Sequence, residues 1–251
     1  MPDIKAVIFD VYETLAHNQP SLWHPTFAQL GLDYGLSLTS EEFWERWKSL
    51  ELVFRKERHQ RDSLGNMPPF KTYEQAWKDC FEQVFREIGK GDASDAARRC
   101  VVALGQRELF PETTEVVASL RRAGNLRLGI VSNADNDSLW PLLRHHGLEF
   151  DGVVTSEAAQ AYKPHPRPFK MVVDMLKVRA QECLYVGDQQ YDDISGGHAA
   201  GMQTAWVNRQ GATLDPAMAM PDYQVSDLRG VLDIIGVSEK GRKSSASSRQ
   251  A

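Results

Sequence analysis

Short apolar runs alternate along the chain with segments that are apolar on one side only. Ala6-Val7-Ile8-Phe9 is the first such run, and comparable ones recur at Leu126 to Val131, Gly152 to Val154, Cys183 to Val186 and Thr204 to Val207. They are too short for helices and lack the alternation of a half-exposed strand, so they read as strands buried on both faces. Glu112 to Ala123, Ser138 to His146, Pro166 to Leu176 and Asp193 to Ala200 instead carry apolar residues at helical spacing. This order predicts an α/β fold, a doubly wound and mostly parallel sheet covered by helices on both faces.

Residues 17 to 105 break the alternation. Phe43, Trp47, Leu50 and Phe54 recur at helical spacing, as do Trp77, Phe81, Val84 or Phe85, and Ile88, with no buried strand between them. Leu64 to Pro69 and Gly89 to Asp92 read as loops. The pattern predicts a helical domain at 17–105 inserted into a core made of 1–16 and 106–237, placed to act as a lid over Asp10. Residues 238–251 are polar and rich in Ser, Lys and Arg, including Lys240, Arg242 and Lys243, and read as a flexible tail.

Composition narrows the class. The chain has 251 residues, 42% of them hydrophobic, enough for one large or two unequal domains. With 29 basic and 34 acidic residues its formal charge is -5, so neither nucleic acid nor an acidic membrane is an expected partner. Cys80, Cys100 and Cys183 are dispersed and suggest neither a disulfide framework nor a thiolate metal site. A secretory leader and a bilayer-spanning run are both missing from the pattern, so a cytoplasmic location is the expectation. Periodicity does not distinguish an oligomer interface from a core face.

The candidate chemistry sits just after the strands. Asp10 ends the first apolar run, where a strand would hold its carboxylate rigidly at the sheet edge, and Thr14 follows four residues later. A carboxylate so placed is a possible nucleophile; a helix cap or a turn residue is the competing reading for both. Ser132 and Asn133 follow another strand and offer a hydroxyl and an amide to an anionic oxygen, or cap the next helix. Lys163 stands in the proline-stiffened stretch Lys163-Pro164-His165-Pro166-Arg167-Pro168, where Pro166 or Pro168 begins a helix and the ammonium is suited to balance anionic charge. Asp188, Asp192 and Asp193 follow Gly187, and so many carboxylates together are most economically explained by a hard divalent cation, Mg2+ rather than zinc. Gly187, Gly196 and Gly197 are expected to allow close backbone passage.

Taken in order, Asp10 to Thr14, Ser132-Asn133, Lys163-Pro164 and Gly187 to Asp193 resemble the motifs of the haloacid dehalogenase superfamily, over about residues 4 to 210. The resemblance implies a Rossmann-like core with a small helical cap and a small anionic, phosphorylated substrate. It further implies Asp10 as nucleophile, Thr14 and Ser132 as residues orienting the phosphoryl group or the nucleophile, and Lys163 as the compensating charge. Asn133 and Tyr12 would face the substrate. Asp10, the Tyr12 backbone carbonyl and Asp188 would hold Mg2+, with Asp193 supporting the metal or Lys163. On this reading the phosphoryl group passes to Asp10 and water then resolves the aspartyl phosphate.

Tyr12 departs from the phosphatases of this family, which resemble one another in carrying an aspartate there to protonate the leaving oxygen. A tyrosine, with a reference pKa near 10, is a poor substitute at neutral pH. Tyrosine at this place is similar instead to the metal-independent L-2-haloacid dehalogenases, which generally have glycine where this chain has Glu13 and use an arginine near the cap. Arg46, Arg55 and Arg58 are candidates for it. The acidic cluster favours phosphate and magnesium, Tyr12 favours halide, and a weakly active or noncatalytic interaction protein is the third reading. In an extended segment the Glu13 side chain would point away from those of Tyr12 and Thr14. Among the aromatics, Trp23 and His24 are expected nearest the entrance, whereas packing accounts for most of Trp44, Trp47, Trp77, Phe81 and Phe85.

Overall fold

The structure, a computed structural model, describes residues 3–60 and 63–237. Strand β1 (Ala6–Phe9) leads into a tight loop and then four helices, α1 (His24–Asp33), α2 (Ser40–Glu57), α3 (Tyr73–Ile88) and α4 (Ala93–Leu104). The chain re-enters the sheet through α5 (Thr113–Arg122), β2 (Arg127–Ser132), α6 (Asn136–His145) and β3 (Gly152–Thr155). It continues with the short α7 (Ser156–Ala159), α8 (Pro166–Leu176), β4 (Cys183–Gly187), a wide π-type turn at Gln190–Ser195, α9 (Gly196–Ala199) and β5 (Gln203–Val207). Strand β6 (Tyr223–Val225) and helix α10 (Arg229–Ile235) complete the described chain.

The six strands are all parallel, in the order β3-β2-β1-β4-β5-β6. The expected doubly wound sheet is thus present, with one further edge strand. Within β1, Val7 and Phe9 join an apolar cluster with α5, α6 and α10, while Ala6 and Ile8 join a second one with α8 on the opposite face. Burial on both sides is why the strand sequences are continuously apolar. The connections run to β2 and β3 on one side of β1 and to β4, β5 and β6 on the other. The order therefore reverses between β1 and β4, where a crevice opens at the strands' carboxyl ends.

Helices α1 to α4 form the cap, built around a third apolar cluster. Phe27, Phe43, Trp47, Trp77 and Phe81 are nearly inaccessible and stack with ring centroids between 5.0 and 5.9 Å apart. Thr39 and Glu42 form a capping box at the start of α2, and Thr72 and Gln75 do the same for α3. Gly89, at φ 84°, ends α3 in the left-handed conformation that glycine adopts without penalty. The two chain passages between cap and core lie side by side. Ala16 and Leu109 form an antiparallel bridge, with His17 donating to the Glu108 carbonyl and Phe110 to that of Leu15, both at 2.9 Å.

The segment after Asp10 turns instead of extending, so the condition set for Glu13 does not apply: Thr14, Leu15 and Ala16 all donate to the Val11 carbonyl, and Glu13 sits at φ 68°. One local expectation needs correction. The helix expected from Asp193 is preceded by the π-type turn from Gln190, because Asp193 and Ile194 both donate to the Gln189 carbonyl. The flexible-tail expectation for 238–251 lies outside the described residues. Among those described, no helix is long and apolar enough to cross a membrane, and Cys80, Cys100 and Cys183 are free thiols.

Candidate active site

Register places the candidate residues together. Phe9 pairs with Val186 and Asp10 donates its amide to the Val186 carbonyl at 2.9 Å, so Asp10 and Asp188 emerge from neighbouring strand ends in the crevice. Asp10, Asp188 and Asp193 each bring an oxygen within 4.8 Å of the others. Gly187 makes this possible, because a Cβ there would collide with the Asp193 carboxylate. A Cβ on Gly196 would also collide, with the Phe169 ring, whereas one on Gly197 would meet Thr204 and Tyr185 at a tight 3.0 and 3.2 Å.

Lys163 organises the floor. Its ammonium donates to Asp10 Oδ1 at 2.7 Å, Asp193 Oδ1 at 2.5 Å, the Tyr185 hydroxyl at 2.9 Å and the Val131 carbonyl at 3.1 Å, and the residue is 2% exposed. Burial alone would lower its proton affinity, but Asp10 and Asp193 outweigh it and raise the pKa well above the usual lysine value. Burial pushes the Asp10 carboxyl up to about 6, with Lys163 opposing and Asp193 adding to the shift. Asp188 is pushed well above the ordinary carboxylate range, first by burial and then by the charges of Asp193 and Asp10. One ammonium does not neutralise three crowded carboxylates, and an all-oxygen donor set of this kind fits a hard divalent cation. Asp193 is already occupied, since Lys163 and Tyr185 reach its Oδ1 and the Gln189 amide donates to its Oδ2 at 2.9 Å. Asp188 is bonded as well, by Thr14 at Oδ1 and by the Gln189 side-chain amide at Oδ2, but it is free of the ammonium.

The remaining candidates brace this floor. Ser132 donates to Asp10 Oδ1 at 3.3 Å. Thr14 reaches Asp188 Oδ1 at 3.3 Å rather than Asp10, and it is fully buried. Asn133 accepts the Lys163 amide at 2.7 Å and donates to Asp192 Oδ2 at 3.1 Å, so it fixes the lysine's backbone. The Tyr12 ring packs against both the core cluster and the cap cluster, with its hydroxyl 3.5 Å from the Leu104 carbonyl at the end of α4. Burial raises the Tyr12 pKa further, so its phenol stays neutral.

A cavity of about 280 Å3 rises from this floor into the cap. Asp10, Tyr12, Ser132, Asn133, Lys163, Asp188 and Asp193 line its lower part; Trp23, Trp44, Trp47 and Trp77 with Lys48, Glu51 and Arg55 line its upper part. His24 stands outside the lining and instead packs its ring 5.7 Å from that of Trp44. Of the three cap arginines, Arg46 is exposed on the outer surface and Arg55 lines the cavity. Arg58 is buried, donating to the Tyr73 hydroxyl at 2.6 Å and to Asp192 Oδ2 at 3.2 Å. Asp192 thereby ties cap to core. Asp135 does so too, accepting the Tyr73 and Glu74 amides at the N-terminus of α3, both at 2.8 Å.

Tyr185, Asp135 and Glu51 carry parts of this arrangement that sequence reasoning did not assign, and Arg58, a candidate cap arginine, serves as a tie to Asp192. A tyrosine inside the otherwise apolar run Cys183 to Val186 was the available signal for the first, and an acid directly before a helix for the second. Glu51 reads simply as a charge on an amphipathic helix.

Residues 4–201 match the family described as haloacid dehalogenase-like hydrolase. The (S)-2-haloacid dehalogenase of Pseudomonas sp. (strain YL) is 28% identical over 250 residues, covering 96% of this chain and 100% of that protein. A phosphoserine phosphatase of Thermus thermophilus is 35% identical over 165 residues, covering 62% of this chain and 66% of its own length. In fold, the chain is similar to the putative HAD-hydrolase YfnB of Bacillus subtilis bound to magnesium, with a TM-score of 0.75 at 21% identity, covering 94% of this chain and 100% of that one.

Proposed function

Because the chain belongs to the haloacid dehalogenase-like hydrolases, we propose that it hydrolyses small phosphate monoesters with Mg2+, through an aspartyl phosphate on Asp10. The observation that carries this reading is the convergence of the Asp10, Asp188 and Asp193 oxygens within 4.8 Å of one another, with the Lys163 ammonium bonding only Asp10 and Asp193 of the three, an arrangement that has a use for a divalent cation and for a phosphoryl dianion. Asp10, Asp188 and the Tyr12 carbonyl would hold the ion, which when bound supplies positive charge to offset the anionic oxygens of the substrate.

The chain's own residues supply the rest. Ser132 and Lys163 both bond Asp10 Oδ1 and so orient its carboxylate. An Asp10 oxygen attacks phosphorus, the bond from phosphorus to the leaving oxygen breaks, and that oxygen takes its proton from solvent. Water then attacks phosphorus, releasing inorganic phosphate and restoring the Asp10 carboxylate. Lys163, held by Asp193 and Tyr185, offsets negative charge in both steps. With a neutral Tyr12 in place of a carboxylic acid, leaving groups of low pKa react fastest.

Tyr12 and the full-length similarity to a haloacid dehalogenase sustain a second reading, in which Asp10 displaces halide from carbon without metal. One experiment separates the two: a panel of phosphate monoesters and L-2-haloacids, each with Mg2+ and with EDTA, for wild type and Asp10→Asn. Phosphate release that requires Mg2+ and falls by at least about 1,000-fold in the variant is expected, the variant retaining its thermal transition. Metal-independent halide release with the same dependence on Asp10 would replace the phosphatase reading with the dehalogenase one.

A further inference from the structure

Above the reacting floor, the cavity wall on α2 carries Lys48, Glu51 and Arg55, one helical turn apart. Glu51 is fully buried and bonds both neighbours: Lys48 donates to its Oε2 at 2.6 Å, and Arg55 donates to its Oε1 through Nε. Burial would raise the Glu51 pKa, but the two cations outweigh it and lower it, so the carboxylate is ionised. Glu51 thus fixes Arg55 by one nitrogen only. The two terminal guanidinium nitrogens have no hydrogen-bond partner among the described residues, although the guanidinium lies 5.8 Å from the Tyr73 ring centroid, and the side chain, 42% exposed overall, is part of the cavity lining. Asp192, the nearby acid, already pairs with Arg58.

We propose that the Arg55 fork, with Lys48 beside it, binds a carboxylate on the leaving alcohol of the substrate, so that the preferred substrates are phosphate monoesters of short hydroxy acids. The inference rests on the phosphatase reading above. Three features argue for it. A guanidinium held by its Nε presents its outer nitrogens as a planar, preoriented pair, the geometry that binds a carboxylate through two parallel hydrogen bonds. Two cations sharing one carboxylate leave a single net positive charge, which matches a monoanion and not a second phosphate dianion. A cavity of about 280 Å3 that must also hold the phosphoryl group has room for only a short linker between the two ends.

The test uses 3-phosphoglycerate and glycerol 3-phosphate, near-isosteres that exchange a carboxylate for a hydroxymethyl group. Their affinities are measured by calorimetry with Mg2+ on the full-length Asp10→Asn protein, which does not consume them, and on the same protein carrying Arg55→Gln or Arg55→Lys. Phosphate release from both esters by otherwise wild-type protein is followed in parallel. The carboxylate ester is expected to bind about tenfold or more tightly with Arg55 present. Arg55→Gln should bring the ratio to within about threefold, and Arg55→Lys should recover part of it. A ratio near one with Arg55 in place, or a preference unmoved by Arg55→Gln, overturns the proposal even if both esters are hydrolysed. The expected binding ratios without phosphate release from any ester would support the carboxylate subsite and remove the phosphatase reading instead.

Discussion

Tyr185 braces the candidate site from outside the cavity lining. It accepts from Lys163 at 2.9 Å and stands 2.9 Å from the Val131 carbonyl and 3.2 Å from Asp193, all in a dry interior where such bonds are strong. Tyr185→Phe should leave the ammonium less well fixed. We expect stability to fall by about 1–2 kcal/mol in urea titration and kcat by about tenfold with KM within about twofold; an unchanged kcat would make the hydroxyl purely structural. Asp10, Ser132, Asp188 and Asp193 stood out in the sequence because they come after apolar strands, and Lys163 because it opens a proline-stiffened stretch, and it was their occurrence together, in order, that outweighed a cap or turn reading of each. Tyr185 did not, since a tyrosine within a buried strand also fits the core. Glu13 misled in the opposite sense: nothing in its residue type announces the φ of 68° that turns the backbone after Asp10.

At the scale of elements, the cap is fastened where α3 begins. Its first amides, from Tyr73 and Glu74, donate to Asp135 on the core, a carboxylate meeting the positive end of a helix. Burial nevertheless pushes Asp135 up to about 6, from the ordinary 3.8, with the Glu157 and Glu74 charges adding after the two amides oppose it. A carboxyl whose pKa is raised on folding contributes stability that is fully present below about pH 3.8 and lost as the pH rises through about 6. Asp135→Asn abolishes that titration. The stability of the variant relative to wild type should therefore increase between pH 4 and pH 7, by about 3 kcal/mol at most; urea midpoints at the two pH values measure it, and a pH-independent difference would refute it. Strands β1 to β5 could be read from the chain because strands covered on both faces are continuous apolar runs. Strand β6, Tyr223-Gln224-Val225, could not, since three residues at an exposed sheet edge leave no periodic mark. The π-type turn was equally hidden, because its sequence Gln190 to Ser195 looks like an ordinary helix start.

For the whole molecule, a divalent cation bound on the crowded floor would couple to folding. Mg2+ that binds Asp10 and Asp188 in the native state should stabilise the protein by about 2.7 kcal/mol at a hundredfold excess over Kd, seen as an unfolding temperature that rises with Mg2+ concentration. Asp188→Asn should lose most of that shift, and an equal shift in both proteins would place the ion elsewhere. Fold class and the cap were visible in the sequence as a change of period, from short buried runs to long aromatic stripes. How the cap joins the core was not, because the bridge between Ala16 and Leu109 pairs residues far apart in the chain. That bridge has a consequence for what this scaffold can become. Entrance and exit share one rung of hydrogen bonds, so to the sheet everything between them is a single excursion from one point on its rim. A different compact unit with neighbouring ends would meet the same junction, and a core that keeps its reacting centre on its own strand tips can exchange the chamber above it as a cassette.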